Sequence, residues 1–290
     1  MTMEIRPFGQ AMGAEVVGVD VSGELDSGTF QAIESAIAEH AVVVVRDQAL
    51  QPAEQARFAR RFGTPQVNVR ADANHGGVPE VFWVSNVTRD GKPLGSHDAG
   101  RYWHSDLCYL ERPSSLTILY AVEVPEKDGV VYGDTAFAGA HLAFDALPEK
   151  RKRELQGLRA ANSYRTMWKR KAQDFGAREV LSDEELAARF PPDAYHPIIR
   201  EHPVTGRKCL YVCDGYTTHI EGMSEEASAA LLAELFEHLA QPSFRYVHQW
   251  RVGDVLIWDN CSVQHKATFD FQLPLRRVMQ RCTIEGSVPY

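Results

Sequence analysis

Long apolar runs are missing from this 290-residue sequence. The longest, residues 41–45, is strand-sized and far below the roughly 18 residues that a membrane span needs, so no membrane partner is expected. Residues 1–6 hold no basic stretch leading into an apolar one, so no secretory signal is expected either. A basic excess is also missing. Lys and Arg total 31 against 39 Asp and Glu, a formal net charge of -8, which argues against a nucleic-acid partner. The five cysteines are scattered and odd in number, with no C-x-x-C pair. That excludes a disulfide framework or a structural zinc site and fits a reducing, cytoplasmic location. Repeats and Gly/Ser- or Pro-rich linkers are absent. What is present is an ordinary globular mix, 44% hydrophobic and 24% charged, with 11 histidines. Metal chemistry here has to use imidazole and carboxylate.

The N-terminal third reads as mixed. Alternation predicts a strand over residues 14–21 and an apolar run predicts another over 41–45. Periodic Phe30, Ile33 and Ile37 predict a helix over 27–40, and Pro52 opens a second over 52–62. From about residue 81 the texture is that of short strands in series: 81–84, 116–122, 130–135, 197–201, 208–212, 243–248, 254–258 and 277–284. Turn signals such as Lys127-Asp128-Gly129 separate many of them. Such a series predicts a mainly β fold with flanking helices, a sandwich or jelly roll. The clearest later helix is 224–240, with Ser224 as its cap and Leu231, Leu235 and Leu239 on one stripe. Residues 68–100 and 164–195 read as irregular, and long irregular segments are usually lids or binding loops.

Three segments carry chemistry. In Trp103-His104-Ser105-Asp106 an extended backbone puts His104 and Asp106 on one face. H-x-D is short enough to arise by chance, so alone it assigns no metal. His265 follows an apolar strand that ends in Trp258-Asp259-Asn260. Two imidazoles and one carboxylate on one face of a metal leave three positions open, the arrangement of non-haem Fe(II) oxygenases. A lone histidine is otherwise a core or surface residue. In Arg276-Arg277-Val278-Met279-Gln280-Arg281, a strand puts Arg277, Met279 and Arg281 on one face. Two inward arginines are costly unless anions meet them. On a solvated edge strand they need no such partner.

With these segments in order, the sequence resembles the taurine dioxygenase (TauD/TfdA) family of Fe(II)- and 2-oxoglutarate-dependent dioxygenases. The matching segments are Gly13-Ala14-Glu15-Val16, Arg60-Arg61-Phe62-Gly63, Trp103 to Asp106, Gly133-Asp134-Thr135, His202-Pro203-Val204-Thr205-Gly206, Trp258 to His265, and Arg276 to Arg281. They run over nearly the whole chain. The resemblance implies a double-stranded β-helix (jelly-roll) core in one domain, 1–290, with active-site loops near 68–101 and 164–195. It implies Fe(II) on His104, Asp106 and His265, with 2-oxoglutarate as cosubstrate and O2 as oxidant. The distal carboxylate of 2-oxoglutarate meets Arg277, whose planar fork suits it, with the Thr135 hydroxyl as a further donor. Trp258 either packs against the cosubstrate pocket or is a plain core tryptophan. Arg281 matches the position that often faces the anionic group of the substrate. Hydroxylation of the substrate accompanies conversion of 2-oxoglutarate to succinate and CO2. The family also implies a homo-oligomer, dimer or tetramer.

The expected substrate is a small organic anion: a carboxylate, sulfonate or sulfate with an oxidisable C–H near the charge. Gly100, Arg101 and Tyr102 stand where the taurine-acting member has a polar amide, which argues against taurine. Candidate substrate residues are Arg281, His75, Asn86, Arg101, Tyr102 and Arg165; apart from Arg281, each is equally readable as a solvated loop residue. Trp168-Lys169-Arg170-Lys171 either draws an anion under a lid or forms a solvated helix face. The alternatives are a natural-product tailoring oxygenase on an amino-acid-like acid, a zinc hydrolase on the same three ligands, and a non-catalytic jelly-roll binding protein.

Overall fold

A computed structural model describes residues 3–67, 73–176 and 178–290. Residues 68–72 and 177, parts of the two segments read as active-site loops, lie outside the described residues. An eight-stranded sheet forms the backbone of the fold. Its spatial order is Glu4–Pro7, Ala14–Val17, Val42–Val45, Val255–Asp259, Ser114–Glu123, Val278–Glu285, Val78–Ser85 and Asn74–His75. A three-stranded sheet, in the order Arg245–His248, Thr135–Gly139 and Val263–Ala267, lies over one face of it. Neighbours in space are distant in sequence, so the centre closes only when the C-terminal strands insert beside those of residues 42–45 and 114–123.

The central strands are buried on both faces, which explains why Val42–Val45 and residues 255–258 are continuous apolar runs rather than alternating ones. Alternation still sorts their side chains between two cores. Val43, Val45, Ile118, Val255, Ile257 and Ile284 point to one side. There the helices Ser27–His40 and Pro52–Arg60 cover them through Ile33, Ile37, Ala56 and Phe58. Val42, Val44, Leu119, Leu256, Trp258 and Met279 point to the other side, where Phe137 and Val263 of the small sheet meet them. Gln55 reaches the sheet from the second helix and donates to the Ile118 and Gln280 carbonyls, at 3.2 and 2.9 Å. A third core lies under the helix Glu225–Leu239, where Leu232, Leu235 and Leu239 face Ile198, Leu210 and Ile220. No helix among the described residues is long and apolar enough to cross a membrane. The five cysteines are unpaired and buried.

The expected segments differ from the structure in several places. Residues 164–195 are largely helical, not irregular: Tyr164–Phe175 and Asp183–Arg189 are helices and Ala194–Pro197 is a strand. Ser163 caps the first helix by accepting from the Thr166 N–H at 3.2 Å. Tyr164, Met167, Trp168 and Lys171 are its buried stripe at helical spacing, which the charges between them hid. Within residues 68–100 the expected strand over 81–84 is present and longer, Val78–Ser85, and its residues 82–85 pair with residues 278–281. The expected strand over 130–135 is interrupted. Val130–Val131 pairs with Glu126–Lys127, Gly133 breaks the run at a φ of 75°, and Thr135–Gly139 begins separately. The expected strand over 14–21 stops at Val17, because Gly18 takes a φ of 78°.

Ile257 is fully buried under the two helices, whereas Val247 is half exposed on the small sheet. Ile257→Ala is expected to cost about 2–5 kcal/mol in urea unfolding, through lost burial and a residual cavity. Val247→Ala should stay within about 0.5 kcal/mol.

Candidate metal centre and adjoining cavities

His104 and His265 meet at the edge of the small sheet. Each donates its backbone N–H to the other's carbonyl, at 3.1 and 2.8 Å, and their ring centroids are 4.1 Å apart. His265 lies on the edge strand of the small sheet. His104 lies in a loop that is tied to that edge by this bridge and by the Ala267 N–H, which donates to the Gly100 carbonyl at 2.9 Å. The loop is not extended beyond it, contrary to expectation. Asp106 opens a turn in which Leu107 has a φ of 55°, and the turn rather than strand alternation swings the carboxylate toward both imidazoles. Asp106 Oδ1 stands 3.7 Å from His104 Nε2, and Oδ2 stands 3.8 Å from His265 Nε2. The ligand atoms of all three residues lie within 4.8 Å of one another, and all three are buried.

The protonation states suit a cation. Burial lowers His104 below its ordinary value and His265 well below it, so both rings are neutral near pH 7. His104 Nδ1 faces the carbonyls of Tyr102 and His265 at 2.9 and 3.0 Å. The proton therefore sits on Nδ1 and leaves the Nε2 lone pair free, the usual tautomer of a ligating histidine. Burial works to raise Asp106, but Arg281 first and the Thr117 hydroxyl with it outweigh that and hold the carboxyl down at about 2. Thr117 donates to Oδ2 at 2.7 Å and Arg281 to Oδ1 at 3.1 Å. Two neutral imidazole nitrogens and one carboxylate are a donor set for a divalent ion such as Fe(II).

Asn260 organises this centre and is not among the residues that the sequence singles out. Its side-chain carbonyl accepts from the Asp106 N–H and from Trp258 Nε1, both at 3.1 Å. Its amide donates to Thr117 Oγ1 at 2.8 Å, and its backbone carbonyl takes the Ser105 hydroxyl at 2.8 Å. The signal available in the sequence was a polar amide directly after the apolar strand that leads to His265.

A second group, His202, Asp259 and Cys261, also has metal-ligand types in reach of one another, but it is closed. His202 Nε2 donates to Asp259 at 2.5 Å, and Nδ1 accepts the Val204 and Thr205 N–H groups, both at 3.0 Å. No imidazole lone pair is left for an ion.

Two cavities share His104 and Arg281. The first is lined by Thr135, Trp258, His265 and Arg277. Arg277 is 6% exposed, its Nε has no hydrogen-bond partner, and no described residue forms an ion pair with it. Burial lowers it to about 10 against the opposing pull of Asp134 and Asp270. Gly133 makes room for the arm, since a Cβ there would lie 3.1 Å from Arg277 Cδ. Asn86 clamps the backbone on either side, accepting from the Arg277 N–H and donating to the Leu275 carbonyl, both at 2.8 Å. Thr135 Oγ1 accepts from Trp250 Nε1 at 3.0 Å, which leaves its hydroxyl proton to donate. A buried cation that lacks an anion, with a hydroxyl donor on the same cavity, fits a carboxylate supplied from outside. The residues present therefore fit 2-oxoglutarate.

The second cavity has an aromatic wall of Phe82, Tyr109, Tyr164 and Tyr216 and a cationic lining of Lys171, Arg178 and Arg281. Of the expected substrate residues, only Arg281 lines it; Asn86 lines a neighbouring pocket beside Arg277. His75 stacks near Trp83 at a sheet edge. Arg165 donates to the Phe190 carbonyl. Arg101 is sandwiched between Phe175 and Phe269, at 4.4 and 4.0 Å. Tyr102 donates to Asp174 at 2.7 Å, under Arg170. Arg101 and Tyr102 thus tie the helix Tyr164–Phe175 to the loop that carries His104, rather than facing either cavity.

A family model described as taurine catabolism dioxygenase, TauD, TfdA family, matches residues 4–283. An alpha-ketoglutarate-dependent 2,4-dichlorophenoxyacetate dioxygenase of Burkholderia sp. (strain RASC) is 32% identical over 286 residues, covering 94% of this chain and 91% of the relative. Pentalenolactone F synthase of Streptomyces arenae is also 32% identical, covering 96% and 94%. The crystal structure of AAD-2 in complex with Mn(II) and N-oxalylglycine superposes with a TM-score of 0.83 at 31% identity, covering 100% of this chain and 98% of that one. The two facing sheets are the jelly-roll core of these neighbours.

Asn260→Leu removes the carbonyl that holds the Asp106 backbone and the amide that holds Thr117. It is expected to weaken Mn(II) binding, followed by electron paramagnetic resonance, by about 10–100-fold, the usual cost of losing a partner that orients a ligand. Unchanged affinity would refute the role of Asn260.

Proposed function

The chain belongs to the taurine catabolism dioxygenase TauD, TfdA family, and on that premise we propose that His104, Asp106 and His265 hold its Fe(II) while Arg277, Thr135 and Trp258 receive 2-oxoglutarate. As a member, the protein is an Fe(II)- and 2-oxoglutarate-dependent dioxygenase that acts on a small anionic organic substrate. One observation carries the residue assignment: the buried, anion-free Arg277 opens onto the same cavity as His104 and His265. The bound iron and cosubstrate supply the oxidising chemistry, in which O2 is consumed and 2-oxoglutarate becomes succinate and CO2.

The chain supplies position and charge. Arg277 and the Thr135 hydroxyl grip the distal carboxylate. Trp258, 4.6 Å from the His265 ring, walls the cosubstrate off from the core. Thr117 and Arg281 fix the plane of the Asp106 carboxylate. Arg281 receives the substrate's anion at the mouth of the aromatic cavity, which excludes water from the carbon to be oxidised. His75, Arg101, Tyr102 and Arg165 act outside that cavity, and Asn86 acts through the Arg277 backbone. The pentalenolactone F synthase relative supports a tailoring oxygenase as the second reading. We also propose one domain over 1–290, because ligands from residues 104, 106 and 265 meet at one point. A homo-oligomer, the absence of a nucleic-acid partner and a cytoplasmic location complete the proposal; the acidic balance and the unpaired cysteines support the last two.

The test is a panel of carboxylates, sulfonates and sulfates, assayed aerobically with Fe(II), ascorbate and 2-oxoglutarate for substrate-stimulated succinate release. No succinate with any acid would support a binding protein instead. The anaerobic Fe(II) and 2-oxoglutarate complex should show a visible charge-transfer band, and His104→Ala should abolish it. Arg281→Ala should raise the KM of the stimulating acid by the equivalent of about 2–5 kcal/mol, the usual cost of losing one partner of a buried charge pair. An unchanged KM would remove Arg281 from the substrate site.

A further inference from the structure

The segment after the helix Tyr164–Phe175 sends Arg178 to the aromatic cavity, whereas Arg165, on the helix itself, donates to the Phe190 carbonyl. The Arg178 side chain is 7% exposed. One terminal nitrogen donates to Asp98 at 2.6 Å. The guanidinium lies 4.7 Å over the Trp168 ring, and Nε has no hydrogen-bond partner. The tail of this arginine is therefore immobilised from two sides, while part of its donor fork goes unused. A buried donor left without an acceptor is unfavourable, and at Arg178, unlike at Arg101 and Arg165, that donor belongs to a side chain that lines the aromatic cavity.

Asp98 is the organiser of this corner. It is 1% exposed, accepts the Ser96 hydroxyl at 3.0 Å, and lies 3.7 Å from Lys171, which donates to the Asp98 carbonyl at 2.7 Å. Burial works to raise Asp98, but Lys171 and Arg178 outweigh it and keep the carboxyl below its ordinary value. The carboxylate is thus charged and holds Arg178 in place. Arg281 has the same construction beside the metal centre, pinned by Asp106 at 3.1 Å and lying 4.7 Å over Phe82. One cavity therefore carries two guanidinium groups, each fixed by its own carboxylate and an aromatic face, with tyrosine rings on the wall they share. One anionic group on a substrate accounts for one of them.

We propose that Arg178 binds a second anionic group of the substrate, so that the preferred substrate is an elongated diacid with an apolar or aromatic spine, held by Arg281 near the metal and by Arg178 at its other end. The inference rests on the dioxygenase reading for the placement of Arg281. The spine lies against Tyr109, Tyr164 and Tyr216, whose rings stand 4.6 to 6.4 Å apart in pairs, and a flat aromatic spine suits such a wall.

Binding without turnover tests this. The protein is loaded with Mn(II) and N-oxalylglycine, and phenoxyacetate and 4-carboxyphenoxyacetate are titrated by calorimetry. The native protein should bind the diacid about tenfold more tightly than the mono-acid, the worth of one charge-assisted hydrogen-bonded contact. Arg178→Met should erase that preference and change mono-acid binding by less than about twofold. Arg178→Lys, which keeps the charge but not the fork, should keep part of the preference, and it carries the test if circular dichroism shows that methionine unfolds the segment. Equal binding of the two acids by the native protein would overturn the proposal, as would an Arg178→Met or Arg178→Lys effect equal on both. A protein with the diacid preference that releases no succinate upholds this inference and sinks the dioxygenase assignment. Succinate release from mono-acids without a diacid preference does the reverse.

Discussion

Keeping the Asp106 carboxylate charged while it is 3% exposed is the constraint on which the rest of the structure depends. Burial alone would push it toward the neutral acid, which is useless as a metal ligand. Arg281 and Thr117 of the large sheet reach the carboxylate itself, and Asn260 holds Thr117 and the Asp106 backbone in place. Thr117 stands on the Ser114–Glu123 strand, Arg281 on Val278–Glu285, and Asn260 at the end of Val255–Asp259. The strand of Thr117 lies between the other two. The strand order, with its long-range crossings, is therefore also the condition for an ionised Asp106. The small sheet contributes the last partner by placing His265 where its backbone captures His104.

The two arginines of the last strand region show how the fold distributes its charge. Arg281 is compensated by Asp106, at 3.1 Å. Arg277 is buried deeper, meets no carboxylate, and is lowered to about 10. Leaving such a cation uncompensated works against stability, and proteins tolerate that mostly where a ligand completes the site. The contrast with His202 and Asp259 is instructive. They have the same residue types as a metal site, but every hydrogen-bonding position is used internally, so they brace the core and bind nothing.

The helical cap over the centre is held by contacts that resemble ligand-binding features in the linear sequence. Arg101 between Phe175 and Phe269, and Tyr102 on Asp174, join the cap to the loop that carries His104. Their polar and aromatic character serves this docking. It follows that the position of the cap and the position of a metal ligand are mechanically linked through a few residues.

Much of the centre was legible in one dimension. His104, Asp106 and His265 stand out by residue type and their joint role follows from the family resemblance, while Arg277 and Arg281 stand out by the cost of burying charge. The two-sided burial of residues 42–45 and 255–258 showed in their unbroken apolar runs. The helix Tyr164–Phe175 did not show, because its buried stripe includes Lys171, and burying a lysine depends on Asp98, 73 residues away. Asn260 and Arg178 were hidden for the same reason: their partners, Thr117 and Asp106 for one and Asp98 and Trp168 for the other, are assembled only by the folded chain. The sequence by itself determined which chemical groups were present and which burial costs had to be met. Only the tertiary structure decided which cation meets which anion, and so which groups are left for a ligand, because pairing across a cavity depends on distances that chain order does not encode.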